Sequence, residues 1–441
     1  MNNSKNKKIS INEITGARKF VLDLLLKAQK NNSFSNILLD KALENSYMSS
    51  HDKALACTLF YGVIEKRITL DYQIAKLSSR PIDTIDATTL CALRMGLYQL
   101  IFLDKIPAHA AIYESVELCP KKSAGFANAI LRAFTRSEGV AYPSEDDYAE
   151  HLSVRFSVGK ALCEKFIAAY GKERATSILA AFDETPPTTL RINTLKTNTQ
   201  KWMQSAKDAE LCALAKNAVK IHGSVRSAYG FEDGFFFVQD EASQLCVKAL
   251  EAREDQIVMD ICACPGSKSF GAAINMNNKG EVYAFDLHAK KLSLIESGAK
   301  RLGIDIIRIA ECDGRKFLPE FSERADRVLC DVPCSGFGVL AKKPELRYKD
   351  PSESAQLPTI QYDILSNASR YVKQGGMLVY STCTVFPEEN EDNINKFLAE
   401  HPEFVLSPFK SGNLICEKGY VTLLPDEHHT DGFFIARLKR V

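Results

Sequence analysis

From residue 256 onward one unit recurs. A short apolar run ends at an acid or a small polar residue, and a stretch of helical character follows. The runs are 257–263, 282–286, 306–313, 328–331 and 376–381. Strands written as continuous apolar runs are buried on both faces. Strands separated by helices pair in parallel, with the helices covering both sides of the sheet. In such open sheets ligands bind outside the carboxyl ends of the strands. The residues at those ends are therefore the candidates for function.

Aspartates mark four of these ends: Asp260 precedes the turn after the first run, and Asp286, Asp313 and Asp331 end the next three. Each alone reads equally as a helix cap. The turn after the first run, Cys264-Pro265-Gly266-Ser267-Lys268-Ser269, is neither G-x-G-x-x-G nor a P-loop. That disfavours a phosphate-bearing nucleotide. An acid about 20 residues past the first turn, here Asp286, is placed to accept two ribose hydroxyls, and Asp313 to accept from an adenine amine. Acids on successive strands suit S-adenosylmethionine, a nucleoside that carries a cation instead of phosphates. Two thiols also leave strand ends. Asp331-Val332-Pro333-Cys334-Ser335-Gly336 follows one strand, and Ser381-Thr382-Cys383-Thr384 follows another. Two sulfurs on one rim suggest cysteine chemistry on a bound substrate.

The length of 441 residues suggests two or three domains, and 45% hydrophobic with 25% charged residues suits a globular protein. The 13 cysteines include no C-x-x-C pair. This argues against a zinc site and a disulfide scaffold, and for a reducing, cytoplasmic setting. The polar start MNNSKNKKIS lacks a signal-peptide core, and no apolar run is long enough to span a membrane. A net charge of +1 conceals an asymmetry. Residues 1–136 hold 19 basic and 12 acidic side chains, so the remaining chain is acidic. A basic segment of this size suits nucleic acid.

The front of the chain reads as helices throughout, broken near Pro81, Pro107 and Pro120. A polar linker covers 137–150. Residues 151–235 look mixed, with helices near 161–170 and 174–182 and an alternating strand at 189–194. There Arg191 and Lys196 are candidates for phosphate contacts. The segment 431–438 reads as a last strand, paired with 404–406. The expected domains are 1–140, all-helical; 151–235, a small mixed α/β RNA-positioning domain; and 236–441, a Rossmann-like α/β domain.

The two cysteine motifs, together with Cys264-Pro265-Gly266-Ser267-Lys268, Pro387-Glu388-Glu389-Asn390 and Thr430-Asp431-Gly432-Phe433-Phe434, resemble the RNA cytosine-C5 methyltransferase family. The front, most clearly Phe126 to Arg132, is similar to the helical RNA-binding domain of the NusB antitermination factor. Together these imply a multidomain α and α/β protein with a class I methyltransferase domain. The implied partner is 16S ribosomal RNA, with no metal and no membrane. Transfer RNA, 23S RNA or a silent assembly factor are the alternatives. By the resemblance Cys383 is the nucleophile at C6 of cytosine, and Cys334 assists product release. A DNA-type design would instead make Cys334 the nucleophile. Asp331 is implied to bond the cytosine edge, and Lys268 to polarise the base or hold the cofactor carboxylate. Cys262, Ala263, Cys264, Pro265, Gly266, Ser267 and Lys268, with Asp286, Asp313 and Asp331, are implied to bind S-adenosylmethionine. Cys262, Cys264, Cys312 and Cys330 are otherwise expected as small core residues. The chain departs from the family at Cys264, Ser267 and Lys342-Lys343.

Overall fold

The computed structural model describes residues 16–31, 35–206 and 208–441. The polar stretch 1–10 lies outside the described residues. Two compact units result: Met1–Lys172 with Lys343–Asp350, and Glu173–Lys342 with Pro351–Val441.

The first unit is helical. Ala17–Asn31, Ser50–Glu65, Arg67–Leu77, Ala87–Phe102, Ala108–Glu117 and Lys121–Phe134 supply its main helices. Apolar side chains at helical spacing meet in two clusters, one around Phe20, Leu24, Leu59 and Phe60, the other around Leu70, Leu93, Leu97 and Leu131. Helix starts are encoded locally. Pro107 and Pro120 each precede a helix, and the Asp86 carboxylate accepts from the Thr89 amide at 3.0 Å. The polar stretch after 137 is shorter than expected, because a helix begins at Tyr148 with Asp147 accepting from the Glu150 amide. Lys343–Asp350 belongs to this unit through two anchors. Arg347 is wholly buried and donates to Phe156 O (2.8 Å), and Tyr348 donates to Glu65 O (2.8 Å).

The second unit carries two main sheets. The smaller is antiparallel and holds β1 (Thr188–Ile192), β2 (Glu210–Leu211), β3 (Ala218–Ile221) and β4 (Phe236–Val238), in the order β2-β3-β1-β4. Trp202, the one tryptophan, is buried against it with Leu190, Val219 and Phe236. The larger contains β5 (Ile257–Asp260), β6 (Glu281–Asp286), β7 (Ile307–Glu311), β8 (Ala325–Asp331) and β9 (Val372–Thr382). These five are parallel in the order β9-β8-β5-β6-β7. The central runs are the buried strands expected, with Met259, Val328, Leu329, Leu378 and Val379 fully buried, whereas β7, at the edge of the sheet, has no fully buried residue. After β9 come β10 (Phe404–Leu406), β11 (Phe409–Ser411), β12 (Leu414–Cys416), β13 (Tyr420–Leu423) and β14 (Phe433–Arg440). β14 runs antiparallel between β9 and β10, so the expected pairing with 404–406 is present. The short strands β11 to β13 carry too few residues for a period to be read.

Candidate functional site

Two strand ends meet at Asp331 and Ser381, which are paired in the β8/β9 register. Asp331 accepts from Ser381 Oγ (2.7 Å) at Oδ1 and from Lys268 Nζ (2.5 Å) at Oδ2. Lys268 sits in the first turn of the helix Ser267–Asn275, which follows β5, the neighbour of β8. Its side chain is buried and its ammonium lies 5.3 Å from the Phe433 ring centroid. Burial opposes the charge, but the Asp331 carboxylate outweighs it and holds the lysine above its ordinary range.

The same two strands deliver the thiols. Cys334 Sγ and Cys383 Sγ are 3.0 Å apart, and the Cys383 amide donates to Cys334 Sγ at 3.2 Å. The bond shared with Cys383, and then burial, push the Cys334 thiol well above the ordinary range. Both residues are partly exposed, whereas Cys330, one strand position before Asp331, is fully buried.

The cysteine loops are fastened to each other. Ser335 Oγ donates to Thr384 Oγ1 (2.9 Å), and the Gly338 amide to Cys383 O (2.9 Å). The buried Glu389 carboxylate accepts from the Ser335 amide (2.9 Å) and from Gln361 Nε2 (2.8 Å). The buried Asn390 accepts from Thr382 Oγ1 (2.6 Å) and donates to Thr384 O (3.1 Å). It thus grips both neighbours of Cys383. Gly338 allows the approach of a third segment: a Cβ there would stand 1.9 Å from Gly432 O, and the Gly432 amide donates to Gly338 O at 2.7 Å. Sequence reading quoted Glu389, Asn390 and Gly432 only as parts of motifs. Their work depends on partners far along the chain.

The turn after β5 places Cys262, Ala263, Cys264, Pro265, Gly266 and Ser267 along the rim. Gly266 has φ +107°, a conformation glycine adopts freely. Asp286, at the end of β6, accepts from the Cys264 amide (3.1 Å) and the His288 amide (3.0 Å). Asp260 is buried behind this turn. It accepts from Ser269 Oγ at 2.6 Å, its other oxygen has no partner, and burial raises its carboxyl to about 7.

Some expectations are corrected. β7 stops at Glu311, so Asp313 lies in the following loop. Its side-chain bonds all run to Arg315, whose forked guanidinium holds the carboxyl down at about 2. Of the four cysteines expected in the core, only Cys330 is fully buried. Cys262, Cys264 and Cys312 are half-buried. Lys196 is exposed, and its ammonium donates to Asp233 O (2.7 Å) and Arg301 O (2.9 Å).

Reading from the sequence also missed a charge cluster. Lys342 Nζ donates to Asp240 Oδ2 (2.5 Å) and Asp431 Oδ2 (2.8 Å). Burial, reinforced by Asp240, raises the Asp431 carboxyl above its ordinary range against the pull of Lys342. These three line a cavity of about 570 Å³, with Pro186, Thr189 and His429 among its other walls. Among the described residues no group of three or more His, Cys, Asp or Glu is arranged to hold a metal, and no helix is long and apolar enough to cross a membrane.

Residues 247–439 match the family described as 16S rRNA methyltransferase RsmB/F. Residues 15–136 match the NusB family, and 160–226 match the RsmF/B-like ferredoxin-like domain. The chain is 36% identical over 443 residues to the probable ribosomal RNA small subunit methyltransferase B of Bacillus subtilis, covering 97% of this chain and 99% of the relative. It is 31% identical over 428 residues to the ribosomal RNA small subunit methyltransferase B of Klebsiella pneumoniae, covering 93% and 94%. Its fold is similar to the crystal structure of PH0851, with a TM-score of 0.78 and 26% identity over 97% of this chain and 100% of that one.

Proposed function

The chain belongs to the 16S rRNA methyltransferase RsmB/F family, and from that premise we propose that it methylates C5 of a cytosine in 16S ribosomal RNA through a covalent bond between Cys383 and C6. The observation that carries this reading is the pair of sulfurs 3.0 Å apart on the rim that also holds Asp331 and Lys268.

The residues at the first two strand ends fit S-adenosylmethionine. A carboxylate has about four acceptor positions. Asp286 uses two on backbone amides, which leaves room for two ribose hydroxyls. Lys268 is committed to Asp331, so the turn offers no spare cation for a nucleotide phosphate. Cys262 to Ser267 and Asp286 would hold the nucleoside. Asp313 would reach the adenine only while sharing its carboxylate with Arg315. When bound, the cofactor supplies an electrophilic methyl group.

The protein's part is to make C5 of cytosine nucleophilic. A stacked base hides its face, so the target must leave the helix or lie in an open loop. Asp331, fixed by Ser381 and Lys268, accepts from the amino edge of the base and orients C6 toward sulfur. Attack needs thiolate, and an ordinary cysteine is only a few per cent ionised at neutral pH. Cys334 keeps its proton and can donate across the 3.0 Å contact, which stabilises a thiolate at Cys383. The thiolate adds to C6, and the C5–C6 electron pair is released to C5, where the methyl group is accepted. A base then removes the C5 proton, the double bond re-forms and the C6–S bond breaks. Cys334, beside the departing sulfur, is the residue placed to return a proton to it.

RNA carrying 5-fluorocytosine tests this, because fluorine at C5 cannot leave as a proton does. With S-adenosylmethionine the native chain should form an adduct that survives denaturing electrophoresis. Cys383→Ala should form none, while Cys334→Ala should retain it. The reverse pattern would exchange the two roles, and no adduct with the native chain would end the covalent reading.

A further inference from the structure

Arg191 is a buried cation without an anion. It lies on β1, is 5% exposed, and pairs with no carboxylate. Its NH2 donates to Gly271 O (3.2 Å) and Asn275 Oδ1 (2.9 Å), and its NH1 to Gln239 Oε1 (3.3 Å). All three acceptors are neutral, and its Nε has no partner. Burying an unpaired charge is costly, and buried charges are ordinarily paired. The chain nevertheless makes room for this one. A Cβ on Gly271 would stand 2.4 Å from Arg191 NH1.

Arg191 lines a cavity of about 370 Å³. Lys216, Lys248 and Lys410 line it too, with Asn217 and Asn275, and no carboxylate is among its walls. The three lysines are exposed and form none of the ion pairs among the described residues. They come from the turn before β3, the helix Glu241–Ala249 and β11. Three separate elements therefore turn like charges toward one opening, against their mutual repulsion. A role for Arg191 purely as a strut between β1 and the helix Ser267–Asn275 accounts for its three bonds. It does not account for the idle Nε or for the lysines.

We propose that this cavity is a phosphate-binding site, in which Arg191 at the base and Lys216, Lys248 and Lys410 at the mouth hold a phosphate group while the asparagine amides donate to its remaining oxygens. A forked guanidinium suits phosphate oxygens, and lysines serve as point charges around them. The group comes either from the backbone of an RNA strand or from a small phosphorylated molecule. The site is separate from the sulfur pair and does not rest on the methyl-transfer reading.

The test uses the full chain with pyrophosphate as probe, followed by calorimetry, and a single-stranded RNA followed by salt-dependent binding. The native chain should bind pyrophosphate. The combined Lys216→Ala, Lys248→Ala and Lys410→Ala variant, altered only at exposed positions, should bind it at least about tenfold more weakly with an unchanged melting temperature. Arg191→Gln should abolish binding, and if it does not fold, the lysine variant decides alone. An RNA source predicts that the lysine variant also loses RNA affinity, with the salt slope reduced by about 0.7, the value for one single-strand phosphate that is no longer neutralised. A small-molecule source predicts that RNA binding is unchanged while pyrophosphate binding falls. If the native chain does not bind pyrophosphate and the lysine variant binds RNA as the native chain does, the site does not exist as proposed.

Discussion

Lys268, from the helix that follows β5, and Asp331, from the end of the neighbouring strand β8, meet with 2.5 Å between ammonium and carboxylate. The lysine is buried and the aspartate is about a quarter exposed, at 28% of its side chain. Removing one partner of such a pair strands the other charge. Lys268→Met should lower methyl transfer by at least about 100-fold and stability by about 3 kcal/mol, near the lower limit for buried pairs. Methyl incorporation into RNA and urea unfolding measure the two effects. Native activity in this variant would remove Lys268 from the reacting assembly.

Asp260 makes stability depend on pH. Burial first, then the charge of Asp331, raise its carboxyl to about 7 against the Ser269 hydrogen bond. A carboxyl that holds its proton more tightly when folded stabilises the fold fully below pH 4. That contribution fades as pH rises through 7. Asp260→Asn should therefore be more stable relative to the native chain at pH 8 than at pH 5, by about 2.5 kcal/mol at most, since only the part of the shift between pH 5 and 7 falls in that range. Unfolding of both proteins across that range decides it, and a difference that does not change with pH would refute it.

Asn390 acts on the sulfur only through its neighbours. Its amide bridges Thr382 Oγ1 and Thr384 O, the residues either side of Cys383. Asn390→Ala leaves the buried Thr382 hydroxyl and the Thr384 carbonyl with only the long 3.4 Å bond between them, a loss of about 1–3 kcal/mol. The expected outcome is a fall in kcat of about tenfold or more, with RNA affinity within about twofold of native. Partial rescue by Asn390→Asp, which can still accept from Thr382, would distinguish positioning from simple loss of packing.

The large sheet was legible because its parallel strands, the edge strand β7 apart, are local apolar runs. Val328-Leu329-Cys330 declares a buried strand without reference to anything else in the chain. The thiol ends at Cys334 and Cys383 followed from the same reading. Asp313 was misplaced by two residues because Cys312 continues the apolar pattern after β7 has ended. β2 and β11 to β13 escaped because strands of two to four residues offer too little alternation to read.

The order of apolar and polar residues, a property of neighbours, was enough to determine helices in the first unit and a parallel sheet in the second. Which charges pair was decided only by folding. Lys268 finds Asp331 across 63 residues and Lys342 finds Asp240 across 102, while Arg191 is left with neutral acceptors. Hydrophobic patterning repeats with the period of a helix or strand and can be read one segment at a time. A hydrogen bond or an ion pair depends on distances of about 3 Å, and only the packed chain sets those.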